Sequence, residues 1–274
     1  MTHTTRRAWL VGALVAATWA AGCTTNPTAP RSATTQTTPQ AAAHRAQLAP
    51  SGALKVGVYM GSPTSMVLDK NQQKVGVSYE LGQLLAQTLG VPFQAVEFKR
   101  VAEIVDAMKN GEIDFTVTNA SAARALVVAF SEPIIRLELG YLVPGSSPIQ
   151  RIDDVDTAPH KVGVSEGSSS QGVLSRAFKQ AVVVPQTSIP QATTALQQGR
   201  LDAFATNKAI LFEMQDQLPG ARLLAGRWGL EHMAMAIPKG REAALPFLNS
   251  FAATAQTTGQ LQRIVVRSGL RGTL

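Results

Sequence analysis

The chain has 274 residues, 45% of them apolar and 16% charged, which excludes a disordered chain and leaves room for one large or two medium domains. The formal net charge is +7, but residues 1–50 carry Arg6, Arg7, Arg31 and Arg45 and no acid, so +3 belongs to the rest. No run of Lys and Arg interleaves with aromatics, which argues against nucleic-acid binding.

Residues 1–23 have the pattern of an export signal. Arg6 and Arg7 form its positive end, and the apolar stretch Ala8 to Ala21 is shorter than the roughly 20 residues of a membrane span. It ends in Ala20-Ala21-Gly22-Cys23, which resembles the lipobox of bacterial lipoproteins, with Ala20 in place of the usual Leu. That resemblance makes Cys23 the lipidation site; the bland alternative is a cleaved soluble signal. Thr5-Arg6-Arg7 also admits a twin-arginine route. Cys23 is the only cysteine, so no intrachain disulfide is available. Residues 24–50, rich in Thr, Ala, Pro and Gln, predict a flexible linker.

The folded body starts near Gly52. A strand is expected over Leu54 to Tyr59, broken by Gly61-Ser62-Pro63. Tyr79 to Leu89 places Leu81, Leu84, Leu85 and Leu89 on one helical face, stopped by Gly90. Val91 to Phe98 reads as a strand and Ala102 to Asn110 as a helix. Gly111-Glu112-Ile113-Asp114 then leads into a buried strand from Phe115, closed by Thr118-Asn119. After Ala120 to Val128, Phe130-Ser131-Glu132-Pro133 reads as a turn and Glu138 to Val143 as a strand. Pro144 to Pro148 is the strongest punctuation and marks a lobe boundary.

The second half repeats the scheme: strand Lys161 to Val164, polar turn Glu166 to Ser170, helix Val173 to Gln180 and strand Ala181 to Val184. A helix over Ile189 to Gln198 leads into Gly199-Arg200-Leu201-Asp202, a strand Ala203 to Ala205 and Thr206-Asn207. This matches the first Gly-x-aliphatic-Asp unit position by position. Each unit is preceded by Val-Gly-Val, at Val56 to Val58 and Val162 to Val164. Lys208 to Met214 reads as a helix, Met233 to Ile237 as a strand, and two amphipathic helices close the chain. Alternating strands and helices in two matched halves predict an α/β fold of two lobes.

The ordered motifs over Gly52 to Leu274 resemble the family 3 periplasmic solute-binding proteins, the amino-acid-type receptors of bacterial ABC importers. They are Leu54 to Val58, Gly76 to Leu81, Gly111 to Phe115, Arg124, Phe130 to Pro133, Lys161 to Ser169 and Gly199 to Ala203. The resemblance implies a type II periplasmic binding fold, its lobes joined by two crossing strands near Leu139 to Val143 and Met233 to Ile237. It gives lobe 1 as 51–143 and 238–274 and lobe 2 as 144–237. The implied protein is a monomeric periplasmic receptor, lipid-anchored through Cys23, that closes on a small carboxylate-bearing solute and meets permease subunits. No cofactor or metal is implied, and His3, His44, His160 and His232 have no metal-ligand spacing.

The implied ligand contacts are Tyr59, Ser62, Asn119, Ser121, Arg124, Ser168, Ser169 and Asn207. Arg124 suits bidentate carboxylate binding, and the amides at Ser168 and Ser169 open a helix that can face an anion. Ser168, Ser169, Asn119 and Asn207 read equally as helix caps. Asn207 stands where the family commonly has an acid for the ligand's ammonium group, so the cleft is expected to be neutral there unless Glu80 or Glu166 supplies a charge. Arg100 reads as an exposed loop residue or a second cation near Val101. The alternative function is a dehydratase-like enzyme on the same fold, with Glu166 as its acid or base. No Gly-x-Ser-x-Gly elbow supports a serine hydrolase.

Overall fold

The computed structural model describes residues 39–274. Cys23 and the export signal lie outside them. The first half runs α1 (Pro39–Leu48), β1 (Leu54–Tyr59), the short pair β2 (Val67–Leu68) and β3 (Lys74–Val75), α2 (Val77–Leu89), β4 (Phe93–Phe98), α3 (Val101–Lys109), β5 (Thr116–Asn119), α4 (Ala122–Ala125) and β6 (Val128–Val143). The second runs β7 (Lys161–Ser165), α5 (Ser169–Ala177), β8 (Val182–Gln186), α6 (Ile189–Gln197), β9 (Ala203–Asn207), α7 (Lys208–Gln217), β10 (Arg222–Leu223) and β11 (Gly229–Pro238). Helices α8 (Leu245–Thr257) and α9 (Gln260–Arg267) follow.

The two matched sequence units turn out to be the same mechanical device. Gly111 and Gly199 take φ of +74° and +67°, the left-handed turn that ends the preceding helix. The aliphatic residue then drops onto the Val-Gly-Val strand. A Cβ on Gly57 would lie 2.5 Å from Ile113, and one on Gly163 2.5 Å from Leu201, so each strand needs a glycine to seat its neighbour. The aspartate next pins the start of the same strand. Asp114 accepts from the Lys55 amide at 3.0 Å and Asp202 from the Lys161 amide at 2.7 Å. Gly57→Ala or Gly163→Ala should therefore cost about 1–3 kcal/mol by overpacking. Urea unfolding measures this, and an unchanged midpoint in both variants would contradict the interlock.

In the first half β1 pairs in parallel with β4, and Val56 bridges to Phe115 beside β5. A larger sheet orders β5-β11-β6-β9-β7-β8, so β11 and β6 run from the first half into the second. Leu139 of β6 pairs with Gly229 of β11 on one side and Asn207 of β9 on the other, which places the handover there. Leu54, Val56, Phe115, Leu248, Phe251 and Leu261 share one core, so α8 and α9 pack back on the first half. Leu142, Phe204, Ile210 and Leu211 form a core of the second half.

Three expectations change. Residues 39–48 are a helix rather than linker: Leu48 and Ala49 are buried, Arg45 donates to the Leu89 carbonyl, and His44 stacks on Phe247 with centroids 4.4 Å apart. Phe130 to Pro133 is not a turn but part of the 16-residue β6. There the ladder slips around Ala234, and the Ser131 hydroxyl takes the Met235 amide at 3.0 Å in place of a backbone partner. Met233, Met235 and Ile237, expected at the crossing and in lobe 2, are buried in the first core. β11 crosses earlier, through Gly229 to His232. Ala120 to Val128, to which the sequence assigns no element, contains the single helical turn Ala122–Ala125.

Candidate functional site

The parallel strands β1, β7 and β9 end facing one another, with β5 and the crossing part of β11 between them. Crevices at the carboxyl ends of α/β strands are the usual ligand positions. Here they enclose a cavity of about 30 Å³, space for roughly two waters. A wider groove of about 450 Å³ between α2 and α9 contains Glu80. That carboxylate is buried and already bonded to Arg267, the Gly76 amide and Ser268, so it is not the cleft acid.

Tyr59, Asn119, Arg124, Ser168, Ser169 and Asn207 all line the cavity. Two of the expected contacts do not. Ser62 is fully buried behind it, bonded to Thr64 at 2.8 Å and supporting the Tyr59 phenol. Ser121 caps α4 by accepting from the Arg124 amide at 3.3 Å. Burial raises the Tyr59 pKa, so its phenol stays neutral. Asn207 caps a helix and also faces the cavity. Its Oδ1 caps α7 on the Ile210 amide at 3.2 Å while its Nδ2 points into the cleft. Ser168 caps α5 through the Gln171 amide at 3.1 Å.

The residue missed from sequence is Glu231, on the crossing part of β11. It is 7% exposed, and its carboxylate accepts from Ser169 Oγ at 2.9 Å and Asn207 Nδ2 at 3.0 Å. The expectation of a neutral cleft is thus overturned: the acid is present, but it comes from the crossing strand. Asn119 joins the network by donating to Ser169 Oγ at 3.2 Å.

Arg124 is 8% exposed, and its Nη1 donates to Thr118 Oγ1 at 2.6 Å. Among the described residues no carboxylate lies within 4.0 Å of it. Burial lowers its pKa and the charge of Glu231 opposes that shift; a guanidinium remains protonated. Among the described residues Arg124 and Glu231 are the only charged ones lining the cavity, one of each sign and not directly paired.

The rim is closed by contacts between the halves. Arg100 Nη2 lies 3.1 Å from Glu166 Oε2, while its Nη1 pairs with Glu103 at 2.8 Å. Arg100 is therefore neither free nor in the cavity, and Glu166 reaches the rim instead of the cleft. Gly167 sits against Ala102, where a Cβ would approach to 2.5 Å.

Comparison with known proteins agrees with this build. The chain is 24% identical over 193 residues to the ABC transporter glutamine-binding protein GlnH of Bacillus subtilis, covering 69% of this chain and 70% of that one. A crystal structure of a mutant of ArgBP from T. maritima superposes with TM-score 0.73 at 22% identity, covering 81% and 97% of the two chains. The ancestral amino acid-binding protein AncCDT-1, a precursor of cyclohexadienyl dehydratase, superposes with TM-score 0.69 at 22% identity, covering 79% and 95%. At that identity the two structures share the two-lobe fold and nothing narrower is taken from them. The model of the bacterial extracellular solute-binding proteins, family 3, matches residues 54–268, and the chain belongs to that family.

Proposed function

We propose that this chain is an extracytoplasmic receptor that binds an α-amino acid between its lobes and presents it to the permease subunits of an ABC importer. The observation that carries the reading is the pair of buried, unpaired, opposite charges in one cavity. A buried charge without a partner is costly, and a zwitterion satisfies both at once. The ligand carboxylate would take the Arg124 guanidinium. Its ammonium would take Glu231, whose carboxylate accepts two hydrogen bonds here and has lone pairs for about two more. GlnH, named as an ABC transporter component, supports the importer assignment. The acid expected for an enzyme on this fold, Glu166, is paired with Arg100 at the rim, so an enzymatic reading would have to use Glu231 instead.

A thermal-shift screen over amino acids, dicarboxylates and small amides tests the reading. Ligand at about a hundredfold excess over its dissociation constant raises stability by about 2.7 kcal/mol. Stabilisation by dicarboxylates or amides but by no α-amino acid would overturn it.

The receptor is further proposed to work as a periplasmic monomer held to a membrane through acylated Cys23, with its lobes closing by hinge motion about β6 and β11. Cys23→Ser should move the protein wholly into the soluble fraction after export. Retention on membranes would remove the anchor from the account.

A further inference from the structure

We infer that the ligand is a small, uncharged α-amino acid of the glycine, alanine and serine class, and that the Arg100–Glu166 rim sets this limit. The inference rests on the α-amino acid reading of the cleft. Three observations support it, the first of them space. With the rim closed, the cavity holds roughly two waters, less than the five heavy atoms of glycine, so the walls yield even to the smallest zwitterion and every further side-chain atom presses the lobes further apart.

The second observation is charge. Arg124 and Glu231 answer the two ends of the zwitterion, and among the described residues no further charged one lines the cavity. Glu166 is paired with Arg100, and Arg100 with both Glu166 and Glu103. A cationic or anionic side chain would enter with nothing to neutralise it. The rest of the lining is uncharged: Val101, Val117, Ile210 and Met233 are apolar, and hydroxyls such as those of Thr64 and Thr206 stand among them.

The third is the rim itself. Gly167 has φ +70° and packs on Ala102, and Gly61 packs against Ile189. The two halves are thus in van der Waals contact when the 3.1 Å Arg100–Glu166 pair is made. A larger ligand keeps the lobes from meeting and forfeits both the packing and the ion pair. Closure then acts as a gauge, favouring ligands small enough to let the rim seal. Arg100 and Glu166 touch no ligand in this arrangement; they are positioning residues.

Isothermal titration of the wild type with glycine, L-alanine and L-serine, against L-glutamine, L-arginine and L-phenylalanine, tests the inference. The expected result is binding of the first set at least about 100-fold tighter than the second, in the range a few methylenes produce. Glutamine or arginine binding as tightly as alanine would overturn the size limit and leave the amino-acid reading standing. No heat from any of the six would overturn both. Arg100→Ala, checked for folding by circular dichroism, should narrow the glutamine-to-alanine ratio by about tenfold or more. An unchanged ratio would show that the rim does not set the limit.

Discussion

Replacing Arg124 by alanine will remove measurable amino-acid binding while leaving the free protein about as stable as before. The two outcomes together distinguish a ligand anchor from a structural cation. Arg124 is buried with a hydroxyl and a long contact to a carbonyl, but no carboxylate, at hydrogen-bond distance. Truncating one side of a buried charge pair costs about 2–5 kcal/mol of affinity. In the ligand-free protein the same truncation removes a desolvated charge that nothing nearby fully repays, so the cost of the lost Thr118 contact is offset. Calorimetry and urea unfolding of the variant measure the two effects. A variant that binds normally, or one that fails to fold, would argue that Arg124 serves the scaffold.

The second large effect is expected at Glu231. Glu231→Gln keeps the shape of the side chain but removes the charge and, because Ser169 and Asn207 donate to different carboxylate oxygens, keeps an acceptor for only one of them. It should lower affinity for an amino acid by about 2–5 kcal/mol and raise affinity for the deaminated analogue, which no longer leaves a buried charge unpaired. Asn207→Asp, by contrast, should not create a better ammonium site, although the family commonly has an acid at this place. Its new carboxylate would stand where Asn207 Nδ2 now donates to Glu231 at 3.0 Å. Two carboxylates that close share a proton instead of adding a charge, and the donor to Glu231 is lost. Titrating both variants with L-alanine and propionate checks this; a gain in alanine affinity for Asn207→Asp would contradict it.

Most of the lobes could be read from local rules. Gly111 and Gly199, with the aspartates three residues on, announced two equivalent turns, and the Val-Gly-Val strands announced what those turns lock onto. The capping asparagine and serines were visible because caps carry their own residue code. What local rules could not supply was the long-range partner. Phe130-Ser131-Glu132-Pro133 has turn composition, yet Ser131 and the slipped ladder let β6 continue through it. α1 was hidden in a linker-like composition because its anchors, Leu48 and the His44 stack on Phe247, depend on a surface some 200 residues away.

Glu231 shows the same limit at the site. It lies 24 residues from Asn207 and 107 from Arg124, with no motif around it. One signal was available. A strand alternates its faces, and Glu231 has the parity of Met233, Met235 and Ile237, which are all buried in one core. An acid on the buried face of a crossing strand is where a cleft charge would be placed. Arg100 reads as a loop residue or a second cation, and Glu166 as a polar turn or an enzyme's acid or base; only the fold brings them to 3.1 Å.

The central claim is that two fixed charges, Arg124 and Glu231, recognise the two ends of one zwitterion. Isothermal titration of the wild type with L-alanine, propionate and ethylamine tests it most directly. A site whose buried polar groups are left unpaired discriminates by roughly 10⁴-fold or more. The account predicts that alanine binds and that each half-ligand binds far more weakly, with propionate and ethylamine both failing. Propionate binding as tightly as alanine would contradict it, because Glu231 would then have no part in recognition.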